Sequence, residues 1–512
     1  MPPPATAPHT PRAAALRFAI VGAGMSGLLA ALQLQRAGYQ HITVYEKADR
    51  IGGTWRDNTY PGVACDVPAH SYTYSFAPYA EWSRYMAEGA QIQQYFEHIV
   101  AQYALAPLIA LRSEVTGCVW QHGAWQLQLA DGRHAQADVV IAAVGVLHHP
   151  SVPALPGLDS FAGACFHSAQ WQHDVPLDGQ RVGVIGTGST GAQIVSALAG
   201  RAQTLLHFQR TPQWILPADN PHYTEADKQA LRTNPAQLHA LRHSEVYQAI
   251  TDSFAQAVIA PDSPQMAQLE AAVLAHLDNS VADPALRARL RPQYRAACKR
   301  LVISSDYYRA IQHPQVQLVD AGIAAIEPDG VRTRDGVLHA LDVLVLATGF
   351  DAERFARDLH VVGLDGVQLN DVWAVRPHAY LAMAVAGFPN FFMLNGPSGP
   401  VGNFSLIDVA EAQWHYIAQL IERIAHGDCD ALSVTPQAMA AFEQARIAAA
   451  RQTIWATGCK SWYLDREGIP SSWPWSYAHF QERLAQPDWA HWQRHHHAPS
   501  ATVAPTPQGI ST

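Results

Sequence analysis

The first clear apolar pattern in the chain is a short run at residues 17–22 (RFAIVG) that ends in glycine. An apolar helical pattern follows through Leu28, Leu32 and Leu34, breaks at Gly38, and gives way to a second strand pattern, ITVYEK. Strand, glycine turn, helix and strand within about 30 residues form the opening of a dinucleotide-binding unit. The pattern returns at residues 181–186 (RVGVIG), followed by glycines, a helix over 191–198 and a strand in TLLHFQR. Between the two units, GAWQLQLADGRHAQADVVIAAVG alternates apolar and polar positions around an Asp-Gly turn and ends in a buried apolar strand; residues 315–350 repeat that arrangement after the second unit. Each half therefore pairs a nucleotide unit with a small β-meander that returns to the parent sheet.

Residues 221–298 differ, with Ala, Leu and Gln runs broken by Pro and Asp and few β-branched residues, which predicts a helical insertion. Beyond Phe388 come a Gly/Pro loop (NGPSGPVGN), a long helix over about 406–425, another over about 436–457, and a tryptophan-rich end. The expected fold class is α/β, with two Rossmann-like dinucleotide-binding domains and a helical insertion. The first domain is expected from residues 15–150 and 387–497, the second from 151–217 and 299–386, and the insertion from 218–298. Residues 1–14 and 498–512 are expected to be disordered.

The two glycine loops differ in the residue that closes the strand after each. In Gly22-Ala-Gly24-Met-Ser-Gly27, Gly22 permits the tight turn, Gly24 lets backbone approach a pyrophosphate, and Gly27 allows close helix–sheet packing. Glu46 stands 24 residues after Gly22, where a carboxylate accepts ribose hydroxyls and repels a 2′-phosphate, so FAD or NAD fits here and NADP does not. In the second loop, Gly186-Thr-Gly188-Ser189-Thr190-Gly191, the same offset carries Arg210, followed by Thr211. A cation and a hydroxyl there suit the 2′-phosphate of NADPH. Two such sites imply electron transfer from a nicotinamide to a fixed carrier, usually FAD. Reductases and oxygenases share these loops, so the loops alone leave the later chemistry open.

Composition narrows the classes. A chain of 512 residues has room for about three domains. It is 48% apolar and 15% charged with a net charge of -9, which argues against disorder and against a broad nucleic-acid-binding face. Its six cysteines contain no CxxC pair and no Cys/His ligand cluster, so neither a disulfide framework nor a zinc site is expected. No run of about 18 apolar residues could span a bilayer, and the Pro/Ala-rich start lacks the apolar core of a secretion signal. The cytosol is the expected compartment.

Five sets of residues carry a family resemblance. Phe161, Gly163, His167 and Trp171 match the fixed positions of a pattern FxGxxxHxxxW, which departs at its final Pro or Asp, here Gln172. Gly52, Gly53, Trp55, Tyr60, Pro61, Gly62 and Asp66 complete GGxWxxxxYPGxxxD. Lys299-Arg300 precedes the DYY of Asp306–Tyr308, and Ala347-Thr348-Gly349-Phe350-Asp351 and Ser461-Trp462 complete the match. Over residues 17–490 the chain resembles the class B flavoprotein monooxygenases and, within them, the type I Baeyer–Villiger monooxygenases. Trp171 points the same way, since the sister enzymes acting on amines and sulfides usually carry Tyr or Phe there.

The resemblance implies NADPH and FAD as cofactors, O2 and a ketone as substrates, and a flavin C4a-peroxide that inserts oxygen beside the carbonyl to give an ester or lactone. Arg300 would be the catalytic arginine, a fixed cation for the peroxyanion and the oxyanion it forms. Asp66 would orient it, Lys299 would add a contact to the 2′-phosphate, and Trp462 would contact NADP. Thr54, Trp55, Asp66 and Tyr72 would border FAD, and Ser189 and Thr190 would border NADPH. His167 is expected to be a structural hydrogen-bonding residue, and Phe350, Asp351 and the 395–404 loop should lie near the cofactors. The NADPH domain would have to swing relative to the FAD domain during turnover. Three alternatives remain: N- or S-oxygenation, a disulfide-type flavin reductase, which would need a redox Cys pair, and a non-enzymatic nucleotide-binding sensor.

Overall fold

The apolar run at Arg17–Val21 lies at the centre of a five-stranded parallel sheet in the computed structural model, which describes residues 10–400, 404–461 and 463–496. The strand order is Phe391–Met393, Val139–Ala142, Arg17–Val21, His41–Tyr45 and Ile109–Ala110. Val139–Ala142 is buried at all four positions, as expected of a parallel strand covered on both faces. One cover is the helix Met25–Ala37, whose Leu28, Leu29, Leu32 and Leu34 are buried; the C-terminal helix Leu406–His426 packs against it. The first sheet is thus completed by a strand and a helix almost 400 residues from its beginning.

A second parallel sheet has the order Ala164–His167, Val343–Leu346, Arg181–Ile185, Thr204–Phe208 and Val316–Val319. Each sheet carries an antiparallel meander: Val115–Gln121, Ala124–Leu129 and His134–Ala137 beside the first, and Ile323–Glu327, Gly330–Thr333 and Leu338–Ala340 beside the second. Residues 225–290 hold five helices. Their starts are legible in the side chains: Thr224 forms a capping box with Asp227, Asn234, Ser244, Ser263 and Asp283 cap the next four, and Pro235, Pro264 and Pro284 occupy first-turn positions. The α/β class with two Rossmann-like sheets and a helical insertion is borne out.

The expected disorder of residues 1–14 needs correction. Residues 1–9 and 497–512 lie outside the described residues, but Pro11–Ala15 is a short helix capped by Thr10. It is held because Ala13 is buried, Thr10 Oγ1 donates to the Ala425 carbonyl, and Arg12 pairs with Asp430 at 2.5 Å. Those partners are over 400 residues away, so local composition does not reveal them. Among the described residues, no helix is long and apolar enough to cross a membrane, and no group of three His, Cys, Asp or Glu could hold a metal ion.

Candidate active site between the two sheets

The glycine loops are shaped by close backbone approach. A Cβ on Gly27 would lie 1.8 Å from the Gly22 carbonyl oxygen, and one on Gly191 would lie 2.0 Å from that of Gly186, so neither position admits a side chain without displacing its loop. Gly24 and Gly188 begin the helices Met25–Ala37 and Ser189–Leu198 with no side-chain cap, which leaves first-turn N–H groups for an anion. A Cβ on Gly188 would meet nothing within 4 Å, so the backbone there is open to a ligand.

A cavity of about 550 Å³ joins the two units. Gly22, Gly24, Glu46, Thr54, Trp55, Asp66 and Tyr72 line it from the first unit, and Ser189, Thr190, Lys299 and Arg300 from the second. Phe350, Asn395 and Phe404 also border it, whereas Asp351, Gly186, Gly188, Arg210 and Thr211 lie outside its lining. The loop positions 401–403 and Trp462 fall outside the described residues.

Glu46 is buried, and three donors hold its carboxylate: Ala23 N and Ala48 N at 2.8 and 2.9 Å, and Arg56 Nη1 at 2.9 Å. Oε2 receives only one of these, so it keeps capacity for a further donor such as a ribose hydroxyl. Tyr72 accepts a hydrogen bond from Trp55 Nε1 at 3.2 Å. Tyr60 donates to Gln193 Oε1 at 2.8 Å, and Gln193 donates back to the Ala64 carbonyl at 3.0 Å, so the YPG segment is tied to the second unit's first helix. His167 uses both ring nitrogens: Nδ1 accepts from Ala169 N at 3.1 Å, which leaves Nε2 to donate to the Gly349 carbonyl at 3.0 Å. Burial holds its pKa below the ordinary imidazole value.

At the centre, Arg300 Nη2 donates to Asp66 Oδ2 at 2.5 Å. About a third of the Arg300 side chain is accessible, and it faces the cavity. The Asp66 charge raises the guanidinium pKa above its already high ordinary value, against the opposing effect of burial. Tyr463 lines the cavity beside Arg300; burial raises its phenol pKa and the guanidinium charge opposes that rise. Lys299 lies over the Tyr294 ring, 4.8 Å from its centroid; burial and then the nearby Arg210 charge hold its pKa below the ordinary ammonium value. Among the described residues neither Arg210 nor Lys299 has a carboxylate partner within ion-pair distance. Two close cations without a counter-charge suit a phosphate.

Several site residues escaped the sequence reading. Arg56, buried between Glu46 and Asp57, is one; a lone arginine beside a tryptophan carries no signal without its carboxylate. Tyr247, Thr251 and Phe254 line the cavity from the insertion helix Glu245–Ile259, and Trp455 and Tyr463 line it from the C-terminal region. One disulfide also lay beyond the sequence reading: Cys298 and Cys459 are bonded across 161 residues. Motif spacing detects local cysteine pairs, and this one is created only by the fold.

Comparison with known proteins agrees with this geometry. Residues 15–224 match the flavin-binding monooxygenase-like family. A Baeyer–Villiger monooxygenase of Streptomyces coelicolor is 37% identical over 494 residues, covering 96% of this chain and 94% of the relative. The chain belongs to the Baeyer–Villiger monooxygenases. An uncharacterised monooxygenase of Mycobacterium tuberculosis is 46% identical over 468 residues, covering 91% of this chain and 94% of the relative. The solved structure of cyclohexanone monooxygenase from Rhodococcus sp. Phi1 bound to NADP+ superposes with a TM-score of 0.83 at 28% identity, covering 94% of this chain and 99% of that one. A steroid monooxygenase bound to NADP gives the same TM-score at 29% identity and the same coverage. The expected family, enzyme class and cofactor pair, FAD and NADPH, are borne out.

Proposed function

We propose that the enzyme uses NADPH and O2 to insert one oxygen atom beside a ketone carbonyl, giving an ester or lactone and water, with FAD on the first glycine loop and NADPH on the second. The FAD-binding part comprises residues 15–150 and 387–497, and the NADPH-binding part 151–217 and 299–386. Gly22, Gly24 and the free N–H groups at Met25 hold the FAD pyrophosphate, Glu46 accepts from its ribose, and Thr54, Trp55, Asp66 and Tyr72 border the flavin. Gly188, Ser189 and Thr190 hold the NADPH pyrophosphate, while Arg210, Thr211 and Lys299 take the 2′-phosphate. Trp462, next to Tyr463 in the chain, contacts the nicotinamide nucleotide, as the family resemblance implies. The cytosol, with its NADPH supply, is the compartment this reading favours.

Bound FAD, reduced by NADPH, supplies the activation of oxygen. Arg300 supplies fixed positive charge where negative charge grows on the carbonyl oxygen, and it does so without giving up a proton. Asp66 holds that guanidinium in place. The observation that carries the reading is the Asp66–Arg300 pair opening into a cavity that both glycine loops border. The test is product analysis by mass spectrometry on cyclic, linear and aryl ketones and a thioether, with NADPH consumption followed in parallel. Ketone-dependent ester or lactone formation is the expected result. Oxygenation of the thioether alone would overturn it in favour of the sister activity.

A further inference from the structure

The cysteine pair lies beside the catalytic cation in both chain and space. Cys298 immediately precedes Lys299 and Arg300, and Cys459 is four residues before Tyr463, which lines the same cavity as Arg300 and feels its charge. Trp455 and Tyr463 stand with ring centroids 5.2 Å apart, and both line the cavity. The bond sits in an apolar cluster with Val258 and Met266 of the insertion and Ile454 of the C-terminal region. The segment from Thr457 to Ser461 has no helix or strand, and its long-range side-chain partner among the described residues is Cys298, bonded to Cys459 and accepting from Thr457; beyond Tyr463 the chain is held by Arg376 with Asp465, by Arg446 donating to the Pro470 carbonyl and by Trp473 N donating to the Gly399 carbonyl. Residues 456–458 and Lys460 are exposed, while Cys459 is 8% and Cys298 1% exposed. The remaining cysteines, 65, 118, 165 and 429, are unpaired, so the bond is not one bridge of a secreted-type framework.

We propose, resting on the reading of Arg300 above, that Tyr463 is a positioning residue for Arg300 and that the Cys298–Cys459 bond is a redox-dependent lock that holds it there. With the lock closed, the guanidinium is fixed between Asp66 and Tyr463. With it open, the segment from Thr457 to Ser461 loses its covalent anchor, and Tyr463 at its edge is held against the arginine less firmly. Closing is two thiols plus hydrogen peroxide giving the disulfide and two waters: the S–S bond forms, the O–O bond breaks, and each sulfur is oxidised by one electron as its proton leaves. The peroxide comes from the enzyme's own turnover when oxygen is not transferred, NADPH + H+ + O2 giving NADP+ + H2O2. Opening requires a small dithiol. Its thiolate attacks Cys459, the more exposed sulfur, Cys298 leaves, and the second thiol closes the reductant's own disulfide, so two electrons pass to the protein. An unlocked enzyme that leaks peroxide thus makes the oxidant that locks it again.

The experiment uses full-length FAD-loaded enzyme in two states, peroxide-treated and dithiothreitol-reduced. Peptides containing residues 298 and 459 should run as one cross-linked species in the first state and as two alkylated species in the second. Reduction should cleave the stretch around residue 459 faster in limited proteolysis, lower ester formed per NADPH by roughly tenfold, the scale of one lost polar contact to a charged group, and leave flavin reduction by NADPH unchanged. Tyr463→Phe should show the same low yield in both states, and Cys459→Ser should not respond to dithiothreitol. Free alkylation of both cysteines after peroxide treatment would overturn the lock, as would equal ester yields from the two wild-type states. An ester yield of Tyr463→Phe equal to wild type would overturn the positioning role. Failure to oxidise any ketone would instead refute the proposed function, and the peptide map and proteolysis would still report on the lock.

Discussion

Replacing Asp66 with asparagine separates holding Arg300 in place from keeping it charged. The two groups meet at 2.5 Å through Arg300 Nη2 and Asp66 Oδ2. With charge centres roughly 4 Å apart and an effective dielectric of about 20, their attraction is about 4 kcal/mol before desolvation is counted. The net contribution of a hydrogen bond to a charged group is smaller, about 1.5–3 kcal/mol. If the variant loses that much orientation of the guanidinium in the transition state, ester formation falls by roughly 10- to 150-fold. Arginine does not lose its proton in the working pH range even without Asp66, so the pH dependence of the remaining rate should keep its wild-type shape. Stopped-flow flavin reduction by NADPH should stay near wild type. The assay is ester formation by gas chromatography between pH 6 and 9, beside the reduction rate. An unchanged ester rate would refute the positioning role of Asp66, and a displaced pH profile would show that Asp66 acts by protonation.

Arg210→Ala should raise KM for NADPH by roughly 10- to 100-fold and leave KM for NADH unchanged, since only the phosphate contact is lost; an unaltered ratio of the two would contradict the phosphate site. Gly27→Ala puts a Cβ 1.8 Å from the Gly22 carbonyl oxygen, so the purified variant should hold less flavin, measured by absorbance, and lose on the order of 3 kcal/mol of stability. Glu411 is buried near Arg242, and burial raises its pKa to about 7 from 4.5. The folded state therefore binds the proton more tightly than the unfolded state, and this group's contribution to stability falls as pH rises between those values. Glu411→Gln should gain up to about 3 kcal/mol relative to wild type on going from pH 4.5 to pH 8, read as the difference in Tm between the two proteins at each pH. A constant difference would refute that protonation.

The sheets were legible because parallel βαβ units write themselves locally: an apolar strand, a glycine turn forced by backbone approach at Gly27 and Gly191, and a helix within one short window. The insertion was legible for a similar reason, since its helices carry their own caps. The candidate site was legible where a motif holds the residue, as at Asp66 and Arg300, though their pairing across 234 positions came only through the family resemblance. What was hidden depends on distant chain meeting distant chain. Arg12 finds Asp430, Cys298 finds Cys459, and Tyr463 comes to the cavity beside Arg300. The wall built by Tyr247, Ile250 and Phe254 was hidden differently: their helix also exposes Val246 outside the cavity, so its apolar pattern does not mark which side faces the cavity.

The most direct measurement is the ratio of ester formed to NADPH consumed by Arg300→Ala with a ketone that the wild type oxidises. Loss of the fixed cation should lower ester formation by at least about 10²-fold, with flavin reduction by NADPH near the wild-type rate and hydrogen peroxide as the product of oxygen consumption. A variant that makes ester in the wild-type ratio would contradict the assignment of Arg300, and with it the central role of the Asp66–Arg300 pair.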